Sequence, residues 1–383
     1  MKARAAILHG IGQDWVVEEI DVDPPQAGEV LVEWKAAGMC HSDEHLVTGD
    51  RERPDEAREM MELGPFWPVI GGHEGAGVVA AVGPGVTSVA PGDHVSASFI
   101  PACGRCHYCS TGRQNLCDDG AGAFAKGMVT DGTSRHRTAG GEDLMLFAKL
   151  GTFAERTVVS ESQVIKVEQD IPLEAVALVS CGVATGWGSA TGRADVQPGD
   201  TVVVVGIGGI GINAVQGAAM AGARHVIAVD PLEFKREKAM EFGATHTFSS
   251  MEEAMPEVME MSWGRMADKV IMTPGVMYGD LMALGTQLAG KGGTIVVTGL
   301  APITQTESSV NQFELSMWNK EIKGTIFGSL NPRADIPKLL GLYREGQLKL
   351  DELITKTYSL DQVNEGYTAM RDGENIRGVI VYD

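Results

Sequence analysis

The chain has 383 residues, of which 44% are hydrophobic and 21% charged, and its formal net charge is −20. This acidity argues against a nucleic acid or an anionic membrane as a partner, because both would be repelled. At about 150 residues per domain, the length predicts two domains or more.

The first part of the chain is predicted to be β-rich. Short apolar or β-branched runs, separated by Pro and Gly turns, occur at 5–8, 29–34, 77–82 and 94–96. The apolar stretch near Met1 is too short for a signal-peptide core, so we expect a cytoplasmic protein. Residues 51–63 carry helix formers and mixed charge after a proline, which predicts a surface insertion or, alternatively, a lid.

From residue 196 onward, strands and helices alternate. The predicted strands are 201–205, 225–229, 269–271 and 293–297, and the predicted helices follow the first, second and third of them. This alternation predicts an α/β unit with a doubly wound parallel sheet and crossover helices. The last segment, 330–383, is predicted to add two helices and a final strand.

Four of the six cysteines lie in one short run with the spacing C-x2-C-x2-C-x7-C: Cys103, Cys106, Cys109 and Cys117. Four thiolates complete a tetrahedral zinc site with no open position, which is typical of structural zinc. The surrounding lobe has little apolar content, so metal is expected to substitute for a core. Such closely spaced cysteines favour metal over disulfides and a reducing compartment. By itself, this run would also suit a non-catalytic zinc-ribbon module.

The other two cysteines, Cys40 and Cys181, lie far apart beside glycines, and His73 follows in a Gly-Gly-His-Glu-Gly stretch. Two thiolates and one imidazole leave a fourth zinc position for water or substrate, as in catalytic sites. The sequence separation means that this second zinc site rests on elimination and local context. Each cysteine alone could also be an ordinary buried thiol.

A glycine-rich turn follows the strand 201–205, and it reads Gly206-Ile207-Gly208-Gly209-Ile210-Gly211. An acidic residue, Asp230, ends the next predicted strand. Together these features match the dinucleotide-binding fingerprint, in which backbone N–H groups at a helix start bind the pyrophosphate. Asp230 favours NAD over NADP because it would repel a 2′-phosphate. The alternatives are a structural turn and, for Asp230, a helix N-cap.

The sequence resembles the zinc-dependent alcohol dehydrogenases of the medium-chain dehydrogenase/reductase superfamily, on residues 38–43, 72–77, 181–183 and 206–211 together with the four-cysteine run. Within that superfamily it is similar to the nitrosoaniline-dependent enzymes of actinobacteria, on residues such as 98–101, 111–117 and 213–218. The resemblance implies a GroES-like catalytic domain at 1–182 with a zinc lobe at about 98–120. It further implies a Rossmann coenzyme domain at 183–326 and a return to the catalytic domain at 327–383.

The resemblance assigns roles to individual residues. Cys40, His73 and Cys181 are implied to hold the catalytic zinc, with Glu74 near the metal but not a permanent ligand. Ser42 and His45 are implied to carry the alcohol proton away, and Asp43 to orient the zinc histidine. The implied contacts to the cofactor are His41, Thr185, Gly206, Gly208, Gly209, Ile210, Gly211, Asp230, Lys235 and Arg377.

The implied reaction is hydride transfer between a primary or secondary alcohol and NAD through a zinc-bound alkoxide, with two zinc ions per chain. In the actinobacterial group the cofactor stays bound and an external electron carrier re-oxidises it. A thiol-adduct formaldehyde dehydrogenase, acting on S-hydroxymethyl thiols, is the alternative. The family also implies a homodimer or homotetramer. The feature of this sequence that supports association is the apolar strand 293–300, which is expected near a sheet edge.

Two features depart from the family. His41 stands where many relatives have arginine, so the strength of the pyrophosphate contact is expected to depend on the protonation of the imidazole. The stretch between Cys40 and His73 is longer than in many relatives, so the shape of the substrate site is expected to differ from theirs.

Overall fold

A computed structural model describes residues 1–60, 66–122 and 127–383. These residues divide into two compact units, one of Met1–Cys181 with Asn331–Asp383 and one of Gly182–Leu330. The predicted domains 1–182, 183–326 and 327–383 stay predictions. In them, as in the two compact units, the end of the chain returns to the unit formed by its beginning.

Strands and helices are numbered in chain order. The strands are β1 (Lys2–Leu8), β2 (Val16–Val22), β3 (Glu29–Gly38), β4 (Val69–Ile70), β5 (Ala76–Val82), β6 (His94–Ala97), β7 (His136–Thr138), β8 (Met145–Leu146), β9 (Arg156–Ser160), β10 (Val164–Lys166), β11 (Thr201–Val205), β12 (His225–Val229), β13 (His246–Phe248), β14 (Ala267–Met272), β15 (Ala289–Val297), β16 (Glu321–Gly324), β17 (Ile354–Tyr358) and β18 (Arg377–Val381). The helices are α1 (His41–Val47), α2 (Asp55–Met60), α3 (His107–Ser110), α4 (Leu173–Leu178), α5 (Ala184–Gly188), α6 (Gly211–Met220), α7 (Glu233–Glu241), α8 (Met251–Met261), α9 (Leu281–Leu288), α10 (Gln312–Met317), α11 (Pro332–Arg344) and α12 (Val363–Arg371).

The first unit is β-rich, as predicted. One sheet has the order β7-β2-β1-β4-β8, and a second has the order β10-β6-β5-β3-β18-β17 with β9 also paired to β3. Strand β3 is almost entirely buried and pairs antiparallel with β5, β9 and β18. Its carboxyl end therefore lies deep in the unit, next to the residues that begin α1.

The second unit contains a six-stranded sheet of order β13-β12-β11-β14-β15-β16 in which neighbouring strands are parallel. Every residue of β11 is buried, as expected when helices cover both faces of a parallel sheet. The strand order is that of a dinucleotide-binding doubly wound sheet, and its switch point lies at β11. The predicted fold class is therefore confirmed. Strand β15, which contains 293–297, is second from the edge, and β16 is the edge strand.

The predicted helix at 51–63 is described only in part. Helix α2 begins at Asp55 and ends at Met60, and residues 61–63 lie outside the described residues. Elsewhere, a continuous helical stretch at Leu173–Arg193 is long and apolar enough to span a membrane, but 89% of the apolar window is buried inside the protein. Such burial is typical of a core helix.

Candidate active site

Four side chains of the first unit bring one donor atom each to within 4.8 Å of one another: Cys40, His73, Glu74 and Cys181. Their exposed fractions are 7%, 3%, 0% and 5%, so the cluster is fully inside the protein. The structure thus brings together the two isolated cysteines and the histidine that the sequence could connect only by elimination.

Three separate segments position these ligands. Cys40 is the N-cap of α1, directly after β3 ends at Gly38. His73 and Glu74 lie in the short connection between β4 and β5. Cys181 lies in a π-helical turn, Val179–Val183, a helix irregularity that is frequent at functional sites.

The imidazole of His73 is held by a buried carboxylate. Its Nδ1 lies 3.0 Å from Oδ2 of Asp43, a residue with no exposed surface, and Oδ1 of Asp43 accepts a 2.8 Å hydrogen bond from the backbone N–H of Gly72. The other ring nitrogen, Nε2, has no hydrogen-bond partner among the described residues. A buried ring nitrogen without a hydrogen-bond partner, on a histidine clustered with two cysteines, is what a metal ligand requires.

Glu74 forms a buried ion pair with Arg377, whose Nη2 contacts Oε2 of the carboxylate and also donates to the backbone oxygen of Met39 at 3.2 Å. The position of Arg377 follows from β18, which pairs with the end of β3 through Val379 and Gly38. The second carboxylate oxygen, Oε1, has no hydrogen-bond partner among the described residues. Burial raises the pKa of Glu74 to about 7, even though Arg377 opposes the rise.

The electrostatics of the cluster favour a bound cation. A hydrogen bond from Cys181 lowers the pKa of Cys40 well below its usual range, and the charges of His73 and Arg377 lower it further against the effect of burial. Burial lowers the pKa of His73, but Asp43 and the Cys40 thiolate raise it by more, so that the net shift is well upward. The hydrogen bond to Cys40 raises the pKa of Cys181 well above its usual range, and burial adds to the rise, so one anionic sulfur is favoured here without a cation. A divalent cation at this buried point would favour the thiolate of both cysteines.

The residues implied in proton transfer lie on α1. The hydroxyl oxygen of Ser42 is 3.7 Å from the sulfur of Cys40, which places it beside the cluster. His45 is only 3% exposed, and its Nδ1 lies 2.8 Å from Oδ2 of Asp50. The rings of His41 and His45 contact each other edge to face, with centroids 5.2 Å apart.

Two aromatic rings and one cation near the cluster were missed by the sequence reasoning. The ring of His73 packs edge to face on Phe147 at 5.1 Å and on Phe99 at 5.8 Å, measured between centroids. The guanidinium of Arg51 lies over the ring of Phe147, 5.2 Å from its centroid. Phe99 and Phe147 come close to the metal ligands only through folding, and no local sequence signal marks them.

The four remaining cysteines form a second cluster, in which all four sulfur atoms lie within 4.8 Å of one another. The sulfurs of Cys103 and Cys109 are 3.9 Å apart and those of Cys106 and Cys117 are 4.0 Å apart. These separations are too long for disulfides, whereas tetrahedral zinc with bonds of about 2.3 Å would hold its sulfurs about 3.8 Å apart. Backbone N–H groups of Asp118 and Cys109 lower the pKa of Cys106 to about 7, which favours the thiolate.

In the second unit, the glycine-rich turn joins β11 to α6. Gly206 has a φ of +88°, and a Cβ there would come within 2.8 Å of the backbone of Pro274, so the turn requires glycine. A Cβ at Gly208 would meet no atom within 4 Å, which leaves open space in front of the start of α6. A Cβ at Gly211 would collide with the backbone oxygen of Gly206. The loop thus offers backbone N–H groups beside free space, as a bound pyrophosphate requires.

Asp230 is 5% exposed and directly follows β12. Its Oδ2 accepts a 2.7 Å hydrogen bond from the N–H of Ile207, and its Oδ1 accepts one of 2.9 Å from the N–H of Leu232. Leu232 is the N-cap of α7, so Asp230 is not the N-cap. Each carboxylate oxygen retains capacity for a further donor.

The other residues implied in cofactor contact are placed as follows. Thr185 is 7% exposed on α5, and its hydroxyl oxygen has no hydrogen-bond partner among the described residues. Lys235 is half-buried on α7. Its neighbour Arg236, which the sequence reasoning did not assign, donates to the backbone oxygens of Asp230 and Pro231 at 2.9 and 2.8 Å.

Comparison with known families agrees with both units. Residues 26–169 match the family described as "Alcohol dehydrogenase GroES-like domain", and residues 209–345 match "Zinc-binding dehydrogenase". The benzyl alcohol dehydrogenase of Acinetobacter calcoaceticus shares the fold, with a TM-score of 0.89, 28% identity and coverage of 100% of both chains.

Among curated proteins, an NDMA-dependent alcohol dehydrogenase of Amycolatopsis methanolica is 53% identical over 383 residues, which is 100% of this chain and 99% of that protein. An S-(hydroxymethyl)glutathione dehydrogenase of Paracoccus denitrificans is 37% identical over 389 aligned positions that span 100% of both. Full-length similarity at these levels, together with the two clusters and the doubly wound sheet, identifies the family. The chain belongs to the zinc-dependent alcohol dehydrogenases of the medium-chain dehydrogenase/reductase superfamily.

Proposed function

We propose that this protein oxidises a primary or secondary alcohol, and reduces the corresponding aldehyde or ketone, by hydride exchange with NAD. The observation that carries the proposal is the buried cluster of Cys40, His73, Glu74 and Cys181, with donor atoms within 4.8 Å of one another. Zinc suits this donor set because two thiolates and one imidazole leave a coordination position for substrate.

Each residue of the cluster has a distinct task in this proposal. Cys40, His73 and Cys181 hold the ion, while Asp43 fixes the ring of His73 through the contact at 3.0 Å. When bound, zinc supplies a Lewis acid that polarises the oxygen of the alcohol or aldehyde. The hydroxyl of Ser42 accepts the alcohol proton, and His45 is the next acceptor. Glu74 remains paired with Arg377 and serves the charge balance of the site.

The second unit is proposed to bind NAD. The N–H groups of Gly209, Ile210 and Gly211, at the start of α6, would hold the pyrophosphate. Asp230 would accept from the adenosine ribose, and Lys235 on α7 would contact the same ribose. When bound, the nicotinamide accepts or donates the hydride. The hydroxyl of Thr185 is proposed to pair with the nicotinamide end, and His41 and Arg377 with the pyrophosphate. Because Nη2 of Arg377 is engaged by Glu74 and Met39, a pyrophosphate contact would use the remaining guanidinium nitrogens.

Two zinc ions per chain are proposed, one in each cluster. The four-cysteine cluster has no open position and is assigned a structural role. The six cysteines are all free thiols in the structure, which supports a reducing, cytoplasmic environment.

The cofactor is proposed to remain bound and to be re-oxidised in place by an external electron carrier. The support is the 53% identity to an enzyme whose printed name is NDMA-dependent alcohol dehydrogenase. Against it stands His41, which holds a pyrophosphate less strongly at neutral pH than arginine would. The 37% identity to an S-(hydroxymethyl)glutathione dehydrogenase makes the thiol-adduct reaction the weaker candidate.

One experiment tests these proposals together. Purified protein is analysed for zinc and for nicotinamide absorbance after gel filtration, and is then assayed with an alcohol panel, with formaldehyde plus low-molecular-weight thiols, with free NAD and with a nitrosoaniline acceptor. We expect two zinc ions, a retained nicotinamide and faster alcohol oxidation with the nitrosoaniline. Protein that is isolated empty and turns over rapidly with free NAD would refute retention. Activity that requires the thiol would favour the alternative reaction.

The preference for NAD is tested at Asp230. Replacing it by glycine removes the repulsion of a 2′-phosphate, so the ratio of NAD to NADP affinity is expected to fall in Asp230→Gly. The substitution also removes the hydrogen bonds that Asp230 accepts from the N–H groups of Ile207 and Leu232. The thermal midpoint is therefore measured in parallel, to separate a change in cofactor preference from a loss of stability. A native protein that prefers NADP would overturn the assignment.

A homodimer or homotetramer is proposed. In the second unit β16 is an edge strand, and nearby Phe313, Met317 and Ile322 are 68%, 65% and 38% exposed. An open edge beside large exposed apolar side chains favours association with another chain. Light scattering at micromolar concentration is expected to give at least a dimer mass, and a monomer mass would contradict the proposal.

A further inference from the structure

His45 makes a hydrogen bond that its role in the family does not require. Its Nδ1 lies 2.8 Å from Oδ2 of Asp50, and the hydroxyl of Thr48 donates to the same oxygen at 2.6 Å. The imidazole side chain is 3% exposed, whereas the carboxylate side chain is 22% exposed. A buried imidazole is therefore joined to a group that reaches water.

We propose that Asp50 is a positioning residue of the proton relay, which holds His45 in one tautomer and connects it to solvent. This inference rests on the proposed alcohol oxidation at the buried cluster. Nothing in the sequence comparison or in the family roles assigned above involves Asp50.

The tautomer follows from the chemistry of the two partners. An ionised carboxylate can only accept hydrogen bonds, so Nδ1 of His45 must be the protonated nitrogen. Burial would raise the pKa of Asp50, but the hydrogen bonds from Thr48 and His45 and the charges of His45 and His41 lower it overall, so the group is ionised at neutral pH. The proton that leaves the alcohol is then taken up at Nε2.

The proton balance closes at Asp50. When Nε2 gains a proton, the ring becomes a cation directly beside the carboxylate, which stabilises it as the aspartate of a catalytic triad stabilises its histidine. The Nδ1 proton can then pass to Oδ2 and from there to water, which restores the carboxylate and leaves a neutral imidazole protonated at Nε2. Uptake of a proton at Nδ1 through Asp50, with release of the Nε2 proton, returns the ring to the Nδ1–H form before the next turnover. In aldehyde reduction the same steps run in reverse. Because His45 itself has almost no exposed surface, this route gives it access to bulk solvent.

The substitution that tests the proposal is Asp50→Asn in the full-length, zinc-loaded protein. The amide keeps the shape but removes the charge and the basic oxygen, so we expect alcohol oxidation to fall about 100-fold, the range of a lost general acid–base step. We also expect the rate effect of D2O to grow and that of a C-deuterated alcohol to shrink, because proton release replaces hydride transfer as the slow step. Asp50→Glu is expected to recover much of the rate.

Two controls separate this role from a structural one. Asp361→Asn removes another carboxylate of the same unit, one that pairs with Arg4 and whose side chain is 61% exposed, and is expected to leave both isotope effects unchanged. Thr48→Val removes the second donor to Asp50 but not the acceptor for His45, so a smaller loss is expected. Unchanged isotope effects in Asp50→Asn, or a slow variant whose C-deuterium effect persists, would overturn the proposal.

A measurement without turnover distinguishes failure of this inference from failure of the proposed function. Two-bond proton–nitrogen NMR spectra report the imidazole tautomer directly. We expect His45 as the Nδ1–H form in the wild type and a changed signal in Asp50→Ala. An Nε2–H form in the wild type would refute the proposal whatever the enzyme oxidises, whereas an Nδ1–H form in protein without alcohol activity would refute the proposed function alone.

Discussion

The two cysteine clusters of this chain present the same type of donor but are built in different ways. The cluster of Cys103, Cys106, Cys109 and Cys117 comes from one short segment, and two of its members are partly exposed. The cluster of Cys40, His73, Glu74 and Cys181 is gathered from distant segments and is buried throughout. One cluster is therefore local, and the other exists only when the whole unit is folded.

The surroundings of the two clusters differ as well. In the local cluster, backbone N–H groups of Cys106 and Cys109 donate to neighbouring sulfurs at 3.4 Å, and the chain itself supplies the support. In the buried cluster, Asp43 supports His73, and Arg377 pairs with Glu74. Local sulfur cages suit a structural ion, whereas a buried mixed cluster with separate charged supports suits chemistry. The following substitutions test that division.

The largest effect is expected for His73→Ala. The variant should lose the zinc of the buried cluster and keep the other, because the two clusters share no ligand. Lewis-acid stabilisation is worth several kcal/mol, so alcohol oxidation is expected to fall by about 1,000-fold or more. Metal analysis and circular dichroism on the same sample check this. A folded variant that still holds two zinc ions and turns over normally would contradict the division of roles.

Cys106→Ser is expected to lower the stability of the protein and to leave its activity intact, the opposite of His73→Ala. Three thiolates and a hydroxyl bind zinc weakly, so the local cluster should lose its ion and its contribution to folding. A loss of about 3 kcal/mol would lower the thermal midpoint by roughly 10 °C in a unit of this size. Activity per folded molecule, measured below the transition, is expected to stay close to that of the wild type. Loss of activity without loss of stability would mean that the local cluster is catalytic.

The contrast also explains what the sequence could and could not predict. The local cluster was predictable because the C-x2-C-x2-C-x7-C spacing alone brings the ligands together, and the doubly wound sheet because its strands and helices alternate with the glycine-rich turn between them. The joining of Cys181 to Cys40 depends on a π-helical turn, which no residue pattern marks. Phe147 was missed because only the folding of the unit brings its ring against His73. Asp50 was missed because its contact with His45 depends on the short turn that follows α1.

Asp43→Asn is expected to have an intermediate effect on the buried cluster alone. The amide can still contact Gly72 but carries no charge to hold the Nδ1–H of His73. Loss of such an orienting carboxylate typically costs 10- to 100-fold in metal affinity or activity. Chelator titration should release the zinc of the buried cluster earlier, while release from the four-cysteine cluster is unchanged. Equal shifts at both clusters would indicate general destabilisation instead.

The smallest effect is expected from lowering the pH, which protonates the metal ligands of both clusters and releases zinc. The order in which the two clusters release zinc can be measured only at pH values where the protein stays folded. His136 is expected to set the lower limit of that pH range. This side chain is 1% exposed, and its Nε2 accepts a 3.0 Å hydrogen bond from the N–H of Val158. Burial lowers the pKa of His136 to about 3; Asp23 opposes this shift, and Arg135 and Arg137 add to it.

The sign of the effect follows from proton binding. Between pH 6.5, the ordinary value for histidine, and about 3, the unfolded chain binds the proton and the folded chain does not. The stability contributed by the neutral ring is complete above pH 6.5 and is lost at up to about 1.4 kcal/mol per pH unit as the pH falls. His136→Gln keeps an acceptor for Val158 but cannot titrate, so its urea midpoint is expected to depend less on pH between 6.5 and 5. Identical pH dependence in both proteins would show that another group sets the acid limit, and metal release could then be followed to lower pH.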